Sequence, residues 1–225
     1  MTDFAQARQQ VMQAILQACD AVGRSAATVQ LLAVSKTQPA AALRALFAAG
    51  QRQFGENYVQ EALAKRTELA DLPIEWHLIG HLQRNKTREV AEAFDWVHSV
   101  DRLLVAERLS AQRPEGRPDL NVCLQVNIDG EDSKSGCPPA QVAGLVAAIS
   151  ALPRLRLRGL MVIPARDHQD AFVRTRALFE SVRTSHRQPQ DWDTLSMGMS
   201  ADFAGAIAAG STCVRIGTAL FGARA

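Results

Sequence analysis

Lysine is scarce in this chain, and one lysine stands where it can do carbonyl chemistry. Of the 25 basic residues, only Lys36, Lys65, Lys86 and Lys134 are lysines. Lys36 directly follows the apolar run LLAVS, and loss of solvent there favours the neutral amine, which is the form that attacks an aldehyde. The other three lie in predicted helices or in the polar loop EDSKSG. Lys36 is therefore the candidate nucleophile; the alternative is a rim lysine that reaches solvent or pairs with Glu56.

Two glycine-bearing segments near the C-terminus have the composition of an anion site. They are MGMS, with Gly198 and Ser200, and RIGTALFG, with Gly217 and Thr218. Glycine lets the backbone approach a ligand closely, and hydroxyl and backbone N–H groups at a helix start bind phosphate. The alternative is that Ser200 and Thr218 are ordinary helix caps. Arg215 lies near the same site if its side chain turns inward, and an interstrand salt bridge is its alternative.

Other patterns do not amount to sites. His77 and His81 are four residues apart, but the intervening residues are predicted as strand, so a shared helical face for zinc is not expected. The segment GEDSKSG lacks the order of a phosphate-binding P-loop. The four cysteines are far apart without a CxxC pair, which favours free thiols over a metal or redox motif: they are Cys19, Cys123, Cys137 and Cys213.

Composition argues against two classes of partner. The formal net charge is +2 and the arginines are scattered, so neither a nucleic-acid stripe nor a polybasic membrane patch is indicated. The N-terminus lacks the pattern of a signal peptide, and no apolar run approaches the ~20 residues of a membrane span. A cytoplasmic protein is expected.

The scaffold that must position these residues alternates strands with helices. A first helix is predicted over 4–22. Predicted strands are 31–35, 51–55, 75–80, 95–100, 121–128, 155–163, 193–197 and 212–217. Predicted helices between them are 39–50, 57–70, 84–93, 102–111, 138–151 and 168–187, and a helical pattern follows each of the last two strands.

Eight strand–helix units in about 200 residues predict a single (β/α)8 TIM-type barrel with an extra N-terminal helix. The alternative, a doubly wound open sheet, usually has a glycine-rich first turn, whereas the first turn here is SKTQP. We expect one domain over 1–225, with residues 1–23 packed on it. Functional residues of a barrel lie at the carboxyl ends of its strands, which is where Lys36 and both glycine segments fall.

The motifs that carry a family resemblance run from about Leu31 to Gly222. They are GENYVQE, WHLIGHLQRNK, VHSVDR, LMVIP, LSMGMSADF and GSTCVRIGTALFG, together with the strand that precedes Lys36. The chain resembles the pyridoxal phosphate homeostasis proteins, the YggS/PROSC group. Their fold is similar to the N-terminal barrel of alanine racemase and of the eukaryotic ornithine decarboxylases.

The resemblance implies a pyridoxal 5′-phosphate (PLP) site. Lys36 would hold the cofactor as a Schiff base, with Asn57 near the ring and Arg215 near the pyridine nitrogen. The remaining implied residues lie at or near the phosphate: they are Ser196, Met199, Ser200, Gly217 and Thr218.

The resemblance also implies what the protein does with PLP. It is expected to take part in intracellular homeostasis of the cofactor and to deliver it to PLP-dependent apoenzymes, as a carrier without firm catalytic activity. Racemase-like enzymes add a C-terminal β domain that is not seen here, so an open site and a monomer are expected. The alternatives are a minimal PLP-dependent amino-acid racemase of fold type III and, as a third reading, a Schiff-base aldolase.

Overall fold

Eight parallel strands close into a barrel, which confirms the predicted (β/α)8 architecture. The computed structural model describes residues 3–131, 134–165 and 170–222. The strands pair in chain order, and the last strand pairs with the first. Their bounds are β1 (Gln30–Val34), β2 (Gln53–Glu56), β3 (Glu75–Leu78), β4 (Trp96–Val100), β5 (Leu120–Gln125), β6 (Leu155–Met161), β7 (Thr194–Met199) and β8 (Cys213–Ile216).

Helices surround the barrel, and their bounds are close to the predicted ones. They are α1 (Phe4–Asp20), α2 (Ala40–Ala48), α3 (Val59–Glu68), α4 (Thr87–Ala93), α5 (Leu103–Gln112), α6 (Val142–Ile149), α7 (Ala171–Ser181), α8 (Phe203–Ala208) and α9 (Thr218–Phe221). No helix in the described part of the chain combines the length and the apolarity that crossing a membrane requires.

Two predicted helices differ most from their expected length. The segment 138–151 begins with a 3-10 turn at Pro139–Gln141 before α6, and such turns are frequent at the N-termini of α-helices. The segment 168–187 is α-helical only as far as Ser181, and its residues 168 and 169 lie outside the described residues.

The core has two layers of different chemistry. Between strands and helices, fully buried aliphatic and aromatic side chains pack together, among them Leu43, Leu46, Phe54, Leu109, Val146 and Ile149. A second buried apolar cluster contains only Trp96, Cys123 and Met161. Polar side chains are buried as well, among them His77, His98 and Arg215.

Helix α1 packs against α8 and α9, next to the last two strands. The rings of Phe4 and Phe221 meet edge to face, with centroids 6.1 Å apart. Just beyond α1, Arg24 donates hydrogen bonds to the carbonyl oxygens of Ile207 (2.6 Å) and Ser211 (3.0 Å). These contacts fix the N-terminal segment onto the part of the barrel that carries both glycine segments.

Candidate functional site

A cavity of about 430 Å³ opens at the carboxyl ends of the strands. Seven of the eight candidate site residues line it: Lys36, Asn57, Met199, Ser200, Arg215, Gly217 and Thr218. The other lining residues are Val34, Gln38, Ile79, Ile163, Ala201, Phe221 and Gly222. Parallel strands bring their carboxyl ends to one mouth, so residues from opposite ends of the sequence meet here.

Lys36 is half-buried and is separated from the end of β1 by Ser35. The alternative was a pair between Lys36 and Glu56, but the lysine that forms an ion pair with Glu56 is Lys65. Glu56 accepts a hydrogen bond from Lys65 Nζ at 2.8 Å and one from Ser35 Oγ at 2.6 Å, both at Oε1. Glu56 is fully buried between β2 and α3, whereas Lys36 lines the cavity.

Asn57 enters the cavity from the end of β2. Its Oδ1 atom is buried and has no hydrogen-bond partner among the described residues. Gly80, after β3, lies against the Asn57 backbone so closely that a Cβ atom there would come 2.1 Å from the Asn57 carbonyl oxygen. Asn57 is therefore held from behind and presents an acceptor that needs a donor from elsewhere.

The two glycine segments form one wall of the cavity. Gly198 has a φ of 94°, a conformation that favours glycine. The N-cap of α8 is Asp202 and that of α9 is Gly217, so Ser200 and Thr218 are not the capping residues. Both are exposed at the mouth, where their hydroxyls are available to a ligand.

Arg215 lines the cavity although only 4% of the residue is exposed. It donates to the carbonyl oxygen of Ser196 (2.6 Å), to Ser196 Oγ (2.9 Å) and to the carbonyl oxygen of Val162 (2.8 Å). No carboxylate of the described residues forms a salt bridge with it, so the interstrand salt bridge is not seen there. Burial lowers the pKa of Arg215, but a guanidinium stays charged in proteins.

Ser196 is the one candidate residue that does not line the cavity. It is fully buried on β7 and lies beneath Arg215. Alternation along β7 turns Ser196 into the barrel, and its place close to the phosphate stays a prediction.

Comparison with known proteins connects this cavity with a family. The family "Alanine racemase, N-terminal domain" matches residues 11–225. A pyridoxal phosphate homeostasis protein of Pseudomonas aeruginosa is 57% identical over 230 residues, which span 100% of this chain and 97% of that protein. One from Escherichia coli K12 is 53% identical over 232 residues, which span 100% of this chain and 98% of that protein.

This chain belongs to the pyridoxal phosphate homeostasis protein family. A solved relative agrees with the family assignment: PipY of Synechococcus elongatus PCC7942, in a structure with PLP bound, is 44% identical. Its TM-score is 0.74, and the match covers 92% of this chain and 100% of that chain. The family assignment therefore extends over nearly all of the barrel.

In this family member, an ion-pair cluster between the end of β2 and α3 holds the backbone on both sides of Lys36. Lys65 Nζ donates to the carbonyl oxygen of Ser35 (2.7 Å), to Glu56 (2.8 Å) and to Glu61 (2.6 Å). Glu61 Oε1 in turn accepts the backbone N–H of Thr37 at 2.6 Å. We call Glu56, Glu61 and Lys65 the α3 clamp, because it holds the residues before and after Lys36.

Thr37 shows how firmly the α3 clamp acts. Its φ is 65°, in the left-handed region, which costs free energy for a β-branched residue and persists only where surroundings enforce it. Its hydrogen bond to Glu61 supplies such an enforcing contact. Sequence reasoning missed the clamp, although the two acidic residues and Lys65 at i+4 from Glu61 are visible in GENYVQEALAK.

A second feature that sequence reasoning missed lies below the cavity floor. His77 was considered only as a zinc partner of His81, yet it is fully buried while His81 is exposed. Its Nδ1 atom lies 2.9 Å from Nε2 of His98, which is itself buried. His77 is two residues from Glu75 on β3, and His98 is two residues from Trp96 on β4, so each ring shares a face of its strand with that neighbour.

Proposed function

We propose that this chain binds PLP in the cavity through a Schiff base between Lys36 and the cofactor aldehyde, and acts as a carrier in intracellular PLP homeostasis. One observation carries the proposal: the Lys36 amine shares a single cavity with Arg215 and with the hydroxyls of Ser200 and Thr218. An amine opposite an anion-binding wall suits a small phosphorylated aldehyde. The family name and the PLP-bound PipY structure support the same cofactor.

The residues present fit PLP. The buried Asn57 Oδ1 lacks a donor among the described residues, and PLP carries a ring hydroxyl. Ser200 and Thr218 offer O–H donors, and Gly217 offers a backbone N–H, at a place suited to the phosphate. Arg215 has more N–H groups than its bonds to Ser196 and Val162 use. The cavity lies within the usual range for small-ligand sites, roughly 300–1,000 Å³.

Arg215 limits what the site does with its cofactor. When bound, PLP supplies a reactive aldehyde and a ring that draws electrons most strongly when its nitrogen is protonated. Arg215 donates hydrogen bonds and cannot accept a proton, so beside that nitrogen it keeps the nitrogen unprotonated. A site of this kind retains PLP and leaves it a weak electron sink.

The cavity lining favours a carrier over a racemase. Among the described residues that line it, only Lys36 and Arg215 are titratable, and Arg215 does not exchange its proton near neutral pH. Racemisation needs an acid and a base on opposite faces of the substrate. His81 and Lys134 line an adjoining cavity of about 260 Å³, and the racemase alternative depends on one of them.

We further propose that the chain is one PLP-binding domain with its N-terminal helix packed on it, that it is monomeric, and that it works in the cytoplasm. The contacts of α1 with α8 and α9 support the first point. The four free, buried cysteines suit a reducing compartment. PLP-dependent apoenzymes are the proposed recipients of the cofactor.

The test is reduction of PLP-loaded protein with borohydride, followed by mass spectrometry. One reduced PLP adduct is expected, and peptide mapping places it on Lys36. Lys36→Ala should lose the adduct, whereas Lys86→Ala, which removes a half-buried lysine paired with Glu89, should keep it. An adduct of equal yield in Lys36→Ala contradicts the assignment, and no adduct in the wild type contradicts PLP binding.

Carrier and racemase are separated by incubating loaded protein with single-enantiomer amino acids. A carrier leaves the enantiomer unchanged, and turnover at ordinary enzymatic rates would rule the carrier out. Delivery is measured as the rate at which a PLP-dependent apoenzyme gains activity. A rate no faster than with free PLP at equal concentration argues against direct transfer.

A further inference from the structure

A line of buried polar groups crosses the barrel below the cavity. Arg215 Nη1 lies 2.9 Å from Ser196 Oγ, and Ser196 Oγ lies 2.9 Å from His98 Nδ1. His98 Nε2 lies 2.9 Å from His77 Nδ1, and His77 Nε2 lies 2.8 Å from Glu75 Oε1. Strands β4 and β7 are not neighbours in the sheet, so the contact between His98 and Ser196 spans the interior.

The two ends of this line limit the direction that its hydrogen bonds can take. Arg215 can only donate, so Ser196 Oγ accepts from it. At the other end the hydrogen bond from His77 holds the pKa of Glu75 below its usual range, so this carboxylate is ionised and accepts from His77 Nε2. The direction proposed below requires a single proton on the His77 ring, at Nε2, so that its Nδ1 accepts from His98.

His98 completes the direction. Burial holds the pKa of His98 well below its usual range. A neutral His98 that donates from Nε2 has an unprotonated Nδ1, and the Ser196 hydroxyl donates to that atom. Every bond then runs from Arg215 towards Glu75.

We infer that Ser196, His98 and His77 are positioning residues: they form one oriented hydrogen-bond chain that links the Arg215 guanidinium to the Glu75 carboxylate and holds it at the cavity floor. A buried cation without a counter-charge is costly, and Arg215 has no carboxylate partner among the described residues. The aligned chain lets Glu75, whose side chain is 38% exposed, act as the distant counter-charge.

The role of this chain towards PLP rests on the proposed function. Because its donors all point away from the cavity, Ser196 accepts from Arg215 and has no proton to pass upward. Arg215, which can only donate, is held with its remaining N–H groups at the place proposed for the pyridine nitrogen. Loss of the chain should loosen Arg215 and speed the release of PLP.

The orientation is tested without any cofactor, by long-range ¹H–¹⁵N NMR of the histidine rings. His77 and His98 are both expected as neutral rings protonated at Nε2. His186 is the internal reference, because its Nε2 lies 2.9 Å from the Leu157 carbonyl oxygen and its Nδ1 accepts the Gln188 N–H at 2.9 Å. A proton on Nδ1 of His98, or a charged His77 at neutral pH, overturns the inference in the wild-type protein alone.

Two matched variants test the link through Ser196. Ser196→Ala removes the hydroxyl that fixes His98, so the His98 ring signals should move towards a mixture of tautomers. Ser99→Ala is the control, since Ser99 is also buried but its hydroxyl donates only to the Gly80 carbonyl oxygen (2.6 Å). Unchanged His98 signals in Ser196→Ala, or an equal change in both variants, overturns the inference.

Cofactor release gives a readout that separates this inference from the proposed function. PLP-loaded Ser196→Ala should release PLP roughly three to ten times faster than Ser99→Ala, the scale of a single weakened hydrogen bond. Equal release rates overturn the positioning role. If neither the variants nor the wild type load PLP, the proposed function fails, while the tautomers still decide whether the chain exists.

Discussion

Lys65→Met is the substitution that tests the α3 clamp most directly. Methionine has nearly the length of lysine but removes the charge and all three hydrogen bonds to Ser35, Glu56 and Glu61. Glu56 has no solvent exposure, so the substitution leaves a buried carboxylate without a counter-charge. Breaking a buried ion pair in this way costs about 3–5 kcal/mol.

Protonation of Glu56 sets a limit to that loss. Burial already raises the pKa of Glu56 above its usual value of 4.5, and without Lys65 it rises further. Neutralising a carboxyl with that usual pKa at pH 7 costs at most about 3.4 kcal/mol, at about 1.36 kcal/mol per pH unit. Because the raised pKa of Glu56 in the variant makes its folded state bind an extra proton, the loss in the free energy of unfolding should shrink by about 2 kcal/mol between pH 7 and pH 5.5.

The assay is urea unfolding of cofactor-free protein at several pH values. The control is Lys86→Met, which breaks the partly exposed pair with Glu89 and should cost no more than about 1 kcal/mol. The double variant Glu56→Gln with Lys65→Met should recover part of the stability, because no buried charge is left. A Lys65→Met loss equal to that of the control, or one independent of pH, would refute the clamp.

Three further outcomes follow from burial and backbone geometry. The pKa of His98 is lowered in the folded protein, so the unfolded state takes up a proton first as the pH falls below about 6.5. The free energy of unfolding should therefore drop by about 2 kcal/mol from pH 7.5 to 5. Urea unfolding of His98→Asn should show a pH profile that is flatter by this amount. Gly198→Ala has an unfavourable φ of 94° and a Cβ 2.6 Å from Ala206 Cβ, so calorimetry should show a loss about 1–3 kcal/mol larger than for Gly116→Ala, which has a φ of 82° but open space around it. The four thiols are buried, with the pKa of Cys137 raised to about 12 and that of Cys213 to about 11, so a thiol reagent at pH 8 should react with them only after unfolding.

The barrel was predictable because its signal is repeated. Eight short apolar runs alternate with helical patterns, and each run appears as a strand within a few residues of its predicted bounds. The rule that function lies at the carboxyl ends of strands then predicts Lys36, Gly198 and Gly217 at one mouth, and Lys36 and Gly217 line the same cavity. A local pattern and one topological rule sufficed for this much.

The supporting contacts could not be predicted, for two physical reasons. Strand β2 was predicted over 51–55 but extends to Glu56, so the alternation that turns Glu56 outward to α3 was lost at the boundary. The contact between His98 and Ser196 joins residues 98 positions apart, and it exists only because the closed barrel brings β4 opposite β7. Neither spacing nor periodicity carries that information.

The α3 clamp has a consequence for the motion that is left to Lys36. Both peptide groups that flank Lys36 are tied to a helix of the outer layer, through Ser35 and Thr37. The main chain at the cavity mouth is then held in place on both sides of Lys36, and the freedom left to this residue is that of its side chain. A substitution of Glu61 or Lys65 in α3 should therefore shift the backbone around Lys36, although neither residue lines the cavity.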